Sequence, residues 1–83
     1  MEPEVLLEKI RDAISRELEI PASSLVDNAS LRHQYGLDSV AAVNIVFALE
    51  TQLGIEIDIR ELAAVDSIDD LRHLLYSRGS QQG

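Results

Sequence analysis

Gly36-Leu37-Asp38-Ser39-Val40, followed by Ala41-Ala42-Val43-Asn44-Ile45-Val46-Phe47-Ala48-Leu49-Glu50, is the stretch on which the reading of this chain turns. Glycine at position 36 permits a turn that other residues resist. Asp38 or Ser39 is then placed to accept hydrogen bonds from the first free N–H groups of a helix. The serine hydroxyl comes to lie at a helix mouth, where free N–H groups and the backbone dipole favour an anion such as a phosphate ester. Taken alone, the same residues also read as a turn followed by an ordinary N-cap, a common arrangement. The surroundings decide between the two.

The helix that begins at Ser39 is expected to run to Leu53 and end at Gly54, a good residue for the position after a helix. Placed at 100° intervals, Ala42, Ile45, Val46, Leu49 and Leu53 share one stripe, which is the expected core side. Val40, Ala41, Asn44, Phe47 and Ala48 fall elsewhere, so the helix is apolar nearly all round. Full burial is improbable in so small a domain. Val40, Ala41, Asn44 and Phe47 are therefore expected on a partner-docking face, with Glu50 at its edge.

Upstream, residues 3–19 read as a helix. Pro3 suits its first turn, and Val5, Leu6, Ile10, Ala13, Ile14 and Leu18 recur on one face. Pro21 stops it. Residues 20–38 lack periodicity and are rich in turn formers, so they form a long loop. Leu25, Val26, Leu31, Tyr35 and Leu37 are available to pin that loop to the bundle, and a short helical turn can begin near Ser30. Downstream, Ile55-Glu56-Ile57-Asp58-Ile59 alternates like a strand but has nothing to pair with, so tertiary context should override it. Ser67-Ile68-Asp69-Asp70 has the spacing of a capping box. A last helix follows to about Arg78, marked by Ile68, Leu71, Leu74 and Leu75, with Gly79 as stop and 79–83 as a disordered tail. His33 and His73 read as solvated, with no metal or catalytic set around them.

The chain has 83 residues, 46% of them hydrophobic, and a formal net charge of −8. That length supports one domain, 1–78, with a thin core. The negative charge argues against nucleic acid, whose phosphates would repel it, and favours basic protein surfaces. No cysteine is present, so no disulfide staples the fold. The apolar runs are short and interrupted, which argues against a membrane span. The chain is read as a cytoplasmic monomer, and as no enzyme: it shows no nucleophile–base pair, no metal set and no phosphate-cradling glycine loop.

Over residues 4–78 this order resembles the acyl carrier proteins: amphipathic helix, long pinned loop, Asp38-Ser39-Val40, an Ala-Leu-Glu run, an Ile-rich segment and a last helix. The resemblance implies an all-α fold, a small four-helix bundle with a long loop between helices 1 and 2 and a short third helix over Ile59–Ala64. It implies 4'-phosphopantetheine joined to Ser39 as a phosphodiester by a phosphopantetheinyl transferase, with Asp38 in contact with that enzyme and its magnesium. The arm's thiol would hold acyl-type intermediates as thioesters for a loading enzyme and downstream transferases. In relatives devoted to general fatty-acid synthesis, acids usually stand where this chain has Ala41 and Asn44. That departure favours a specialised acyl carrier, or an aminoacyl carrier loaded by an amino-acid-activating enzyme. The reading from another class is a small helical interaction module without an arm, in which Ser39 is a cap only.

Overall fold

Apolar residues at helical spacing, cut by prolines and glycines, set the element order. The computed structural model describes residues 2–81, of which 3 and 78–81 are described by backbone alone. Helix α1 spans Pro3–Leu18, α2 Leu31–Tyr35, α3 Ser39–Leu53 and α4 Ile68–Gln81. A 3₁₀ turn at Ala22–Ser24 and a 3₁₀ segment at Ile59–Ala64 lie between them. The described residues contain no strand. The short third helix expected at Ile59–Ala64 is thus present in 3₁₀ form, and the turn expected near Ser30 is α2.

α1 packs against both α3 and α4. Leu6, Ile10, Ala13 and Ile14 form its buried stripe, meeting Ile45, Val46 and Leu49 of α3 and Ile68, Leu71 and Leu75 of α4. Val5, expected in that stripe, is exposed. It lies in the first turn, one residue before the buried Leu6. α1 closes on Glu19, whose left-handed φ of 56° turns the chain so that the Ile20 N–H donates to the Ser15 carbonyl at 3.1 Å.

The long connection from α1 to α3 is held by polar pins as well as apolar ones. Arg11 of α1 donates through Nε to Asp27 at 3.0 Å. The Tyr35 hydroxyl accepts from the Val26 N–H at 2.7 Å and donates to the Ser24 carbonyl at 3.2 Å. Leu25 and Leu31 are buried, whereas Val26 is exposed and serves through its backbone. These bonds explain how a segment poor in regular structure holds its place.

After α3, residues 55–58 run as an extended strap. Ile57 is buried, and Ile55 and Leu62 pack partly buried against the core. The strap's Ile57 N–H has no strand partner; it donates instead to Oε2 of Glu50 at 2.8 Å. At the start of α4, Ser67 Oγ accepts from the Asp70 N–H at 3.1 Å, as the capping spacing predicts. The return bond differs: Asp70 Oδ2 accepts from the N–H of Asp66, one residue before the cap, at 3.2 Å. α4 also passes Gly79, the expected stop, and continues to Gln81. A helical glycine forfeits only about 1 kcal/mol against alanine, and no proline follows to forbid continuation. Of the tail expected to be disordered, 79–81 are therefore helical, and 82–83 lie outside the described residues.

Candidate functional site

Gly36 ends α2 in the left-handed region, at φ 72°, with its N–H on the Leu31 carbonyl. A side chain there would meet no neighbouring atom, so the glycine is required by its backbone angle and not by crowding. The turn sends Leu37 towards the core and leaves Asp38 extended at φ −113° and ψ −179°. Asp38 is the N-cap: Oδ1 accepts from the Ala41 N–H at 2.8 Å, and its carbonyl accepts from the Ala42 N–H at 2.9 Å.

The cap thus falls to Asp38 and not to Ser39. Ser39 is the first residue of α3, exposed, with no side-chain hydrogen bond to any described residue. The N–H groups of Ser39 and Val40 precede the first intrahelical bond and face outward. An anion esterified to this hydroxyl would sit at the positive end of a helix about four turns long. The donor set therefore fits a phosphodiester.

Beside Ser39 opens a cleft of about 420 Å³ between α3 and the 3₁₀ segment. Leu37, Ala42, Val43, Ile59 and Leu62 give it apolar walls, and Arg32 is its cation. The Arg32 guanidinium is held by Asp66 Oδ1 at 3.3 Å and by the Leu62 carbonyl at 3.2 Å. The Ser30 hydroxyl donates to Asp66 as well. That bond, more than the N–H and charge of Arg32 or the charge of His33, holds the Asp66 carboxyl below its ordinary range; partial burial works the other way. Sequence reasoning missed this node, because its partners are 34 residues apart and carry no local signal.

The other expected site residues divide. Val40 and Phe47 stand 70% and 69% exposed on α3, with Val43 at 51% between them. Asn44 shares that side, its amide donating to Glu17 Oε2 of α1 at 3.0 Å. Ala41 does not: it is buried, in line with Ile45 and Leu49 at four-residue intervals, while Ala42 is only half-buried. The rest of the expected stripe holds, with Ile45, Val46 and Leu49 buried and Leu53 partly buried against the core; Ala41 takes the place expected of Ala42. Glu50 is half-buried with its carboxylate on the strap, a position set by the unpaired Ile57 N–H. Neither Ala41 nor Glu50 lies on the exposed apolar side.

Among the described residues there is no cluster of acidic, histidine or cysteine side chains that would hold a metal ion. None of the described helices is long and apolar enough to cross a membrane.

Comparison with known proteins agrees with this geometry. Residues 8–75 match the family described as PP-binding, the phosphopantetheine attachment site. Acyl carrier protein 3 of Ralstonia nicotianae is 38% identical over 80 residues, covering 92% of each chain. The acyl carrier protein of Saccharopolyspora erythraea is 28% identical over 89% of this chain and 78% of its own length. That of Thermotoga maritima is 26% identical over 82% of this chain and 84% of its own. A hydroxyl left free at a helix mouth, the family match that spans it and relatives matched over most of their length lead to one assignment: the chain belongs to the family of acyl carrier proteins, which bear covalently attached 4'-phosphopantetheine.

Proposed function

We propose that Ser39 carries the 4'-phosphopantetheine arm and that the protein presents a specialised acyl or aminoacyl cargo on it, as a thioester, to successive enzymes. The observation that carries this reading is the exposed, uncommitted hydroxyl at the first position of α3. On attachment the Ser39 Oγ gives up its proton and bonds to the phosphorus that carries pantetheine in coenzyme A; adenosine 3',5'-bisphosphate leaves. The arm supplies the thiol that a chain without cysteine lacks.

The chain's own residues have simpler tasks. Gly36 and Asp38 hold Ser39 outward, and the free N–H groups of Ser39 and Val40 attract the phosphodiester anion. Asp38 caps through Oδ1, which leaves its other oxygen for the transferase and its magnesium. Val40, Phe47 and Val43, with Asn44, form a docking face that meets the loading enzyme through apolar contact. A neutral face on a chain of net charge −8 supports dedicated partners over the basic surfaces that suit general fatty-acid carriers. The partners are a phosphopantetheinyl transferase, a loading enzyme and downstream transferases, met by a cytoplasmic monomer.

Intact mass after incubation with coenzyme A and a phosphopantetheinyl transferase tests the attachment. Wild type should gain one arm and Ser39→Ala none, with melting lowered by about 1 kcal/mol or less because Asp38 keeps the cap. A gain that survives in Ser39→Ala overturns the site. No gain in wild type leaves the helical interaction module.

A further inference from the structure

The outward side of α3 is neutral, yet α1 sets one carboxylate beside it. Asn44 stands four residues after Val40 and three before Phe47, so the three share one ridge of α3. The Asn44 amide donates to Oε2 of Glu17, near the end of α1, at 3.0 Å. Both ends of that bond are exposed, so water can replace it and it holds little energy. What it marks is a place. The packing of α1 on α3 brings the charge of Glu17 beside the middle of the ridge.

Among the described residues no cation answers this charge. Each arginine whose side chain is described lies within 3.4 Å of an aspartate. Even Arg16, next to Glu17 in sequence, is turned to Asp12. The Glu17 carboxylate bonds to Asn44 alone among the described residues, which leaves its other oxygen for an outside donor.

The chemistry at Ser39 says who supplies that donor. The transferase must bring the phosphorus of coenzyme A to the Ser39 Oγ. Its surface therefore lies over the first turns of α3, where Val40 and Asn44 are exposed. Coenzyme A is a polyanion, and a site that holds it is lined with cations. The rim of such a site meets Glu17 with opposite charge.

We infer that Glu17 of α1 is a specificity-determining residue for arm attachment, read by a basic side chain on the rim of the phosphopantetheinyl transferase while Val40 makes the apolar contact beside it. This rests on attachment at Ser39, and the experiment separates the two. The full chain is treated with coenzyme A and a phosphopantetheinyl transferase, and intact mass reports the arm. A missing gain in wild type, or one that survives in Ser39→Ala, fails the attachment reading and the inference with it. With the enzyme that arms wild type, kcat/KM for attachment is then measured against salt for Glu17 variants, with melting in parallel. Glu17→Gln keeps an acceptor for Asn44 and removes only the charge. It should lower kcat/KM by about three- to fivefold at low salt and flatten the salt dependence. Glu17→Lys should lower it by about tenfold or more. Glu8→Gln removes the same charge about two and a half turns away, on the other side of α1, and should act like wild type. Moving the acid onto α3, in Glu17→Gln with Asn44→Glu, should restore the rate. Unchanged kinetics in Glu17→Lys overturn the inference. So does an equal loss in Glu8→Gln, which makes net charge the cause, or a double variant that stays slow.

Discussion

The two sides of α3 are built of nearly the same chemistry and meet opposite fates. Ala41, Ile45, Val46 and Leu49 are buried; Val40, Val43 and Phe47, on the opposite face, stand half or more exposed. Hydrophobicity does not sort them. Neighbours do: α1 packs on one side, whereas on the other Val40 and Phe47 stay exposed and Val43 borders the cleft towards the 3₁₀ segment. The inward side is covered permanently and sets stability, whereas the outward side is suited to cover that comes and goes.

Breaking the inward side should have the largest effect. Leu49 is fully buried, and Leu49→Ala should cost about 2–5 kcal/mol in urea or thermal unfolding. Set against roughly 4–12 kcal/mol for a domain of this size, that is a large share of the whole. A loss below about 1 kcal/mol would mean that the inward side is loosely packed after all. The same truncation outward should read differently. Phe47→Ala should leave melting nearly unchanged and reduce kcat/KM for loading by about 2 kcal/mol, close to thirtyfold. Loading measured against salt sharpens this: a steep salt dependence with no effect of Phe47 would replace apolar docking by charge steering.

Asp38 sits where the two sides meet. Asp38→Ala should cost about 1 kcal/mol of stability through the lost cap and slow arm attachment by more than that. Attachment at the wild-type rate would reduce Asp38 to a cap. The smallest effect is expected at Asn44, whose bond to Glu17 is exposed at both ends. Asn44→Ala should change stability by no more than about 0.5 kcal/mol, and a larger loss would place the outward side within the fold.

Local signals carried the helices. Gly54 stops α3 at φ 66°, Pro3 opens α1, and Ser30 caps α2 through the His33 N–H, all visible in neighbouring residues. The place of Ser39 at the mouth of α3 was legible for the same reason, since Gly36 and Asp38 beside it dictate the turn. The burial of Ala41 in place of Ala42 was not: the two are the same residue, and the packing of α1 distinguishes them. Glu50 looked like a surface acid because its partner, the Ile57 N–H, is a backbone group in a strap whose path no pattern reveals. The Arg32–Asp66 node joins segments that meet only once the chain has folded.

The division of labour between Asp38 and Ser39 bears on how a carrier circulates. Because the cap is made by Asp38, turning the Ser39 hydroxyl into an ester removes no bond from the folded domain. If the arm is joined there, as proposed, bare and loaded forms keep the same cap at the start of α3. The head of α3 would then be a constant background, against which the contents of the arm tell one passage from the next.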